Sequence, residues 1–214
     1  FESGKAHSMI LWGPPGVGKT TLARMYAASL DAKLYELSAV SAGKDDVKRA
    51  LKDHAGGKPK VLFLDEIHRF NKAQQDVLLP DVETGELTLI GATTENPSFE
   101  VIAPLLSRCR VFALHQLGDE HVQLIVERAI SDEERGLGKL KAYLEHRVME
   151  HLVKIANGDA RVALNGLAGR DLDRRVYLPG HAGPRYRRDI LGGLHHHRAC
   201  RCRDVQRVLC RLRG

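Results

Sequence analysis

Aromatic side chains are scarce: 5% of the 214 residues are Phe, Tyr or Trp, and a single one is Trp. A core must therefore be built mostly from Leu, Val, Ile and Ala, and the 43% apolar content is enough to build one. Cysteine is sparse too. The four Cys, three of them crowded near the C-terminus, give no disulfide framework for a chain this long, so a reducing cytosolic compartment is expected. No apolar run approaches the roughly 18 residues that a membrane span needs. A secretory leader is missing as well, because Phe1 opens directly into Glu2-Ser3-Gly4-Lys5. The first residue is not Met, which reads as a fragment or a processed product. The length fits one ordinary domain plus a small second one.

Charge is unevenly placed. The net charge is +6, yet residues 1–168 carry 21 Lys+Arg against 23 Asp+Glu, while residues 169–214 carry 12 Arg, 4 Asp and no Lys. The basicity that would point to nucleic acid thus belongs to the last 46 residues alone. There Arg, Gly, Pro, His and Cys rise together. A disordered basic tail has this texture, and so does a GC-rich gene read out of frame.

Alternation of strand and helix patterns runs through the first half. Met9-Ile10-Leu11-Trp12 is a short apolar run ending at Gly13, and predicts a buried strand. Helical spacing follows over Lys19–Leu30. Lys33–Leu37 reads as a strand, Lys44–Lys52 as a helix and Gly56–Pro59 as a turn. Val61-Leu62-Phe63-Leu64 is a continuous apolar run of the kind buried on both faces of a parallel sheet. Asn71–Leu79 reads as one helix and Thr88–Thr93 as another strand. The alternation predicts an α/β fold with a parallel sheet. From about Gly118 the texture is helical, over Asp119–Ile130, Leu144–Ala156 and Ala160–Leu167, with no strand among them. The expected organisation is an α/β core over 1–117, a small helical domain over 118–167 and an Arg-rich tail over 168–214.

The segment Gly13-Pro14-Pro15-Gly16-Val17-Gly18-Lys19-Thr20 fits the phosphate-binding loop G-x-x-x-x-G-K-[ST]. Its glycines let backbone N–H groups turn inward around phosphates. Lys19 brings a point charge to the β- and γ-phosphates, and the Thr20 hydroxyl suits Mg²⁺. The helix that follows aims its N-terminus at the anion, and Thr21 in its first turn belongs to the same phosphate-binding set. The ligand implied is a nucleoside triphosphate. Asp65-Glu66 close the apolar run at 61–64. An Asp at a strand end beside such a loop is placed to hold Mg²⁺, and the adjacent Glu66 can orient and deprotonate an attacking water. The other reading is an acidic pair capping a helix. Thr93-Thr94 end the next strand, where a hydroxyl can hold the lytic water, and Asn96 is a second candidate. Arg108, in Ser107-Arg108-Cys109-Arg110, is either an arginine finger reaching a neighbouring subunit or a surface ion-pair residue. Asp159 suits an N-cap. Arg161 then falls in the first turn, against the helix dipole, as a residue meeting an anion would. Cys200, Cys202, Cys210 and His195–His197 have no standard zinc spacing. His7, His54 and His68 have no partner at ligand spacing and read as structural or exposed.

Taken in order, these elements resemble the AAA+ ATPases. Met9–Gly16, Asp65-Glu66-Ile67-His68-Arg69-Phe70-Asn71-Lys72 and Leu89-Ile90-Gly91-Ala92-Thr93-Thr94-Glu95-Asn96-Pro97 resemble the replication-associated recombination protein A family, relatives of clamp loaders. Glu134–Gly138 and Gly158–Arg161 resemble it as well, so that the likeness runs over roughly residues 1–167. It implies a three-layer nucleotide-binding domain followed by a helical lid. Lys19 and Thr20 then take Walker A roles, Asp65 and Glu66 Walker B roles, Thr94 the sensor 1 position, Arg108 the finger and Arg161 the sensor 2 position. It further implies an oligomeric, DNA-dependent ATPase acting at stalled forks, single-strand gaps or duplex ends, with ATP and Mg²⁺ as cofactors. DNA and single-strand-binding protein are its implied partners, and membranes are not. The compartment is the cytoplasm, at the nucleoid, in a bacterium, or the nucleus in a eukaryote. Family members begin some tens of residues upstream, where part of the adenine pocket lies, and continue past the lid into an assembly domain.

Overall fold

The computed structural model describes residues 6–53, 55–140, 143–168 and 176–177. Chain contacts divide it into two units, with the break between Gln116 and Leu117.

The first unit is a five-stranded, all-parallel sheet. Its strands are β1 (Met9–Trp12), β2 (Lys33–Ser38), β3 (Lys60–Asp65), β4 (Leu87–Thr93) and β5 (Arg110–Ala113), in the spatial order β2-β3-β4-β1-β5. Helices α1 (Lys19–Ser29), α2 (Lys44–Lys52), α3 (Lys72–Asp76), α4 (Leu79–Thr84), α5 (Pro97–Glu100) and α6 (Ala103–Leu106) complete a three-layer α/β unit. The two-residue period of the strands divides the core cleanly. Met9, Leu11, Val61, Phe63, Ile90 and Ala92 pack with Ala23, Tyr26 and Ala27 of α1 on one face. Ile10, Leu62, Leu64 and Leu89 pack with Val47, Leu78, Val82 and Leu105 on the other. Burial on both faces is why these strands are continuous apolar runs rather than alternating ones. Each fully buried Leu or Ile contributes roughly 1.5–3 kcal/mol.

Two sequence expectations are corrected here, and one element was missed. Residues 71–79 do not form one helix: α3 ends at Asp76 and α4 begins at Leu79. Pro80 explains the break, because its ring would clash with the carbonyl four residues back, at Asp76. The strand β5, on the apolar stretch that starts at Val111, was not foreseen; it lies at the sheet edge with all four of its residues exposed. In the second unit, Leu144 is not the start of a helix. Tyr143–Leu144 form a short strand, β6, paired antiparallel with Val176–Tyr177, β7.

The second unit holds α7 (Asp119–Ser131), α8 (His146–Ala156) and α9 (Ala160–Ala168). Val122, Val126 and Ala129 line one stripe of α7, at helical spacing. They share a core with Val148, Leu152, Ala156, Ala163 and Leu167. Apart from Ala168 and the strand β7, the tail over 168–214 lies outside the described residues, and with it the Cys200, Cys202, Cys210 and His195–His197 group.

Candidate functional site

The register of the sheet sets the geometry. In β1, Trp12 pairs with Thr93 of β4, and in β3, Leu64 pairs with Gly91 of β4. The C-terminal ends of β3, β4 and β1 therefore lie side by side, and Asp65, Thr93 and Gly13 emerge at one edge. With about 4.8 Å between neighbouring strands, the backbone at Asp65 and the start of the loop at Gly13 stand about 10 Å apart. That gap suits a phosphate chain and a cation.

Gly13 must be glycine because the backbone passes against β5. A Cβ there would lie 2.3 Å from the Leu114 carbonyl oxygen. The Gly13 N–H donates to the Thr93 carbonyl at 3.1 Å, tying the loop to the end of β4. Gly18 caps α1 in the left-handed region, with φ of 95°, a conformation that lets successive N–H groups converge. The first turn of α1 has no acidic residue, so nothing there opposes an anion. Lys19 Nζ donates to the Gly13 and Pro14 carbonyls at 2.7 and 2.8 Å, within the loop itself. Pro14, Gly16, Val17 and Thr20 are half-buried, while Pro15 and Thr21 are exposed.

Asp65 ends β3, and its Oδ1 accepts the Glu66 N–H at 3.1 Å. Glu66 has φ of 54°, one of the few non-glycine residues of the described chain in the left-handed region. Such a backbone costs of order 1 kcal/mol and clusters at functional sites. The side chain of Glu66 makes no capping hydrogen bond to the turn that follows, so the helix-cap reading of Asp65-Glu66 finds no support. Its Oε2 lies 3.6 Å from Arg69 Nε and 4.0 Å from His68 Nε2.

Thr93 is 1% exposed and Thr94 is exposed. The Thr93 hydroxyl meets His68 Nδ1 at 3.0 Å. Of the two readings expected for His68, structural or exposed, this contact agrees with the first. His68 sits between Glu66 and Thr93, and no sequence signal could show this, because Thr93 is 25 positions away. Asn96 caps α5 by accepting the Ser98 N–H at 3.0 Å, so its side chain has a structural role.

Of the other predicted residues, Arg108 lies away from this cluster and Arg161 belongs to the second unit. Arg110 pairs with Met9, at the start of β1, so Arg108 lies toward the opposite edge of the sheet from the phosphate loop. Its guanidinium donates to the Pro104 carbonyl and pairs with Glu83 at 2.9 Å. Burial pushes the neighbouring Cys109 thiol up to about 11, which keeps it from acting as a thiolate. Arg161 is exposed in the first turn of α9, in the second unit, where Asp159 Oδ1 caps the helix by accepting the Arg161 and Val162 N–H groups at 2.7 and 3.1 Å. Among the described residues there is no cluster of three or more metal-ligating side chains and no helix long and apolar enough to cross a membrane.

Residues 9–117 match the ATPase family associated with various cellular activities. The chain is 50% identical over 167 residues to replication-associated recombination protein A of Coxiella burnetii, which covers 77% of this chain and 38% of that protein. To the protein of the same name from Escherichia coli K12 it is 46% identical over 171 residues, 78% of this chain and 38% of the relative. It therefore spans about two fifths of the length of these relatives. Among solved structures, the Thermotoga maritima RuvB Holliday junction branch migration motor superposes with a TM-score of 0.62 at 31% identity, over 78% of this chain and 55% of that one. With its parallel sheet in this strand order and its phosphate loop at the end of β1, the chain belongs to the AAA family of ATPases, and it is similar to replication-associated recombination protein A over most of its length.

Proposed function

We propose that this chain binds ATP with Mg²⁺ and carries the hydrolytic centre of a motor that remodels DNA during replication-fork maintenance and recombination repair. The observation that supports it most is the convergence of the phosphate loop, Asp65-Glu66 and Thr93 at the ends of three adjacent strands. Gly13–Thr21 cradle the phosphates and Lys19 neutralises their charge. The hydroxyl of Thr20 and the carboxylate of Asp65 are hard oxygen donors that fit Mg²⁺. Bound there, the cation would offset charge on the β- and γ-phosphates. Glu66 takes a proton from water as its oxygen attacks the γ-phosphorus and the bond to the β-phosphate oxygen breaks. Thr94, exposed beyond the end of β4, completes the set as a sensor of the γ-phosphate.

Arg108 lies toward the far edge of the sheet, which favours action on a neighbouring copy's nucleotide rather than its own. The parent protein is then a homo-oligomer. Residues 118–167 form its nucleotide lid, with Arg161 reading the bound nucleotide. The names of the relatives support DNA replication and recombination as the setting; within that reading DNA gaps, ends or forks are the substrate and single-strand-binding protein the partner, at the nucleoid of a bacterium or in a eukaryotic nucleus. The structural likeness to a branch migration motor favours a second reading, four-way junctions as the DNA substrate.

The test compares three proteins in nucleotide titration and phosphate release. Lys19→Ala should lose nucleotide binding. Glu66→Gln should bind as the parent does and release no phosphate. Hydrolysis per chain should rise with protein concentration if Arg108 acts in trans, and a binding-only fragment would show none at any concentration. Unchanged hydrolysis by Glu66→Gln would sink the assignment of the base. Stimulation by forked rather than four-way DNA separates the two substrate readings.

A further inference from the structure

We propose that His68 is the second acceptor for the attacking water, holding it jointly with Glu66; this rests on the reading of Glu66 as the general base.

The argument begins at Thr93. Its hydroxyl has one proton, and Oγ1 donates to the Glu95 carbonyl at 3.2 Å while accepting the Glu95 N–H at 3.0 Å. With that proton assigned to the Glu95 carbonyl, the contact between Thr93 Oγ1 and His68 Nδ1 at 3.0 Å is a hydrogen bond in which Nδ1 is the donor. In the neutral ring this leaves Nε2 with a lone pair. That lone pair lies 4.0 Å from Glu66 Oε2. Two acceptors facing each other at 4.0 Å make no direct hydrogen bond. A water about 2.8 Å from each can donate one hydrogen to Oε2 and the other to Nε2. Both of its hydrogens are then fixed, and its remaining lone pairs are free to point at an electrophile.

The fold holds this arrangement in place. His68 is 11% exposed by side chain, whereas Arg69, the other group near Oε2, is 64% exposed. Arg69 can swing into solvent; the imidazole is held at one end by Thr93, itself 1% exposed. Glu66, in the left-handed region, opens the turn over Ile67–Arg69 that carries His68. In the chemical step the water loses one proton to Glu66 as its oxygen bonds to the γ-phosphorus, and the diphosphate leaves. The hydrogen facing His68 stays on the new phosphate oxygen, so His68 gains and loses nothing. It lowers the entropy of the reacting water.

Two substitutions divide the roles of the ring. An Asn side chain keeps a donor where Nδ1 stands and has nothing where Nε2 stands, so His68→Asn preserves the Thr93 anchor alone. Gln reaches the Nε2 position with an oxygen acceptor and gives up the anchor. His68→Asn should lower kcat about 10–100-fold, the scale set by misplacing a reacting group, with nucleotide Kd and KM unchanged within about twofold. His68→Gln should recover part of that loss. Wild-type kcat in His68→Asn would overturn the proposal, and so would equal losses in kcat and nucleotide affinity, which mark a purely structural residue.

A second measurement does not need turnover. In the ¹⁵N spectrum of the imidazoles, with His68 assigned by its absence from His68→Asn, Nδ1 should be the protonated nitrogen. Thr93→Val should weaken that preference, and Glu66→Gln should move the Nε2 resonance and leave Nδ1 in place. An Nε2 resonance indifferent to Glu66→Gln overturns the proposal even in a chain that hydrolyses nothing, whereas absence of hydrolysis that depends on Lys19 overturns only the reading of Glu66 as a base.

Discussion

Replacing Gln75 by Leu should destabilise the first unit by about 2–4 kcal/mol, although the change puts an apolar side chain into an apolar core. Gln75 is 1% exposed. Its Nε2 donates to the Phe70 carbonyl at 3.0 Å and to the Glu100 carbonyl at 2.9 Å, and its Oε1 accepts the Ile102 N–H at 3.0 Å. One side chain therefore satisfies three backbone groups on two loops, one following Glu66 and the other preceding Arg108. Leu fills a similar volume and satisfies none of them. Each hydrogen bond is worth about 1 kcal/mol net, and each buried group left unpaired costs about 1–3 kcal/mol. The gain from burying a more apolar side chain offsets part of this. At about 4 °C per kcal/mol for a domain of this size, the melting temperature should fall by roughly 10 °C, read by far-UV circular dichroism. Urea unfolding with an unchanged m-value should give the same free energy. A loss below about 0.5 kcal/mol would refute the reasoning, because it would mean that the three backbone groups find other partners.

Four further outcomes follow from the same structure. Gly13→Ala should destabilise by about 1–3 kcal/mol and weaken nucleotide binding, because its Cβ meets the rigid Leu114 carbonyl at 2.3 Å rather than a flexible side chain; thermal melting with and without ATP reads both effects. Asp53 is held at about 2, below its ordinary 3.8, first by Lys33, then by Tyr35 and the Ala55 N–H. Its folded value is depressed, so its contribution is complete above about pH 4 and is lost as pH falls toward 2; Asp53→Asn should flatten the acid limb of stability in that window and nowhere else. Glu83→Gln breaks the Arg108 ion pair, but both partners are more than a third exposed; stability should change by less than about 0.5 kcal/mol in urea titration. Glu66→Gly should raise stability by about 0.5–1 kcal/mol while abolishing phosphate release, since glycine adopts φ of 54° without strain; a loss of stability would show that this backbone carries no strain.

Much of the molecule was legible in the chain itself, wherever the signal was local. The phosphate loop is eight consecutive residues whose chemistry does not depend on the rest of the fold. The runs at 9–12, 61–64 and 88–93 announced buried parallel strands, because burial on both faces removes polar alternation. The Asp159 cap was legible for the same reason: its partners are two and three residues away. Elements that depend on distant partners were not. The strand β5 carries the short apolar run Val111-Phe112-Ala113-Leu114, yet its place at the sheet edge depends on pairing with β1, far away in sequence. The split of residues 71–79 was signalled by Pro80 and is completed by Gln75, whose partners lie up to 27 positions away.

The sequence by itself determined the phosphate-binding chemistry, the acidic pair and the class of fold, because short-range backbone geometry and hydrophobic period are written in consecutive residues. Only the tertiary structure decided which of the neighbouring polar groups meet. It buried Thr93 and left Thr94 exposed, sent Arg108 toward the opposite edge of the sheet, and brought His68 between Glu66 and Thr93. Those outcomes depend on the register of parallel strands whose residues are far apart in sequence, and register is settled by packing across the whole sheet.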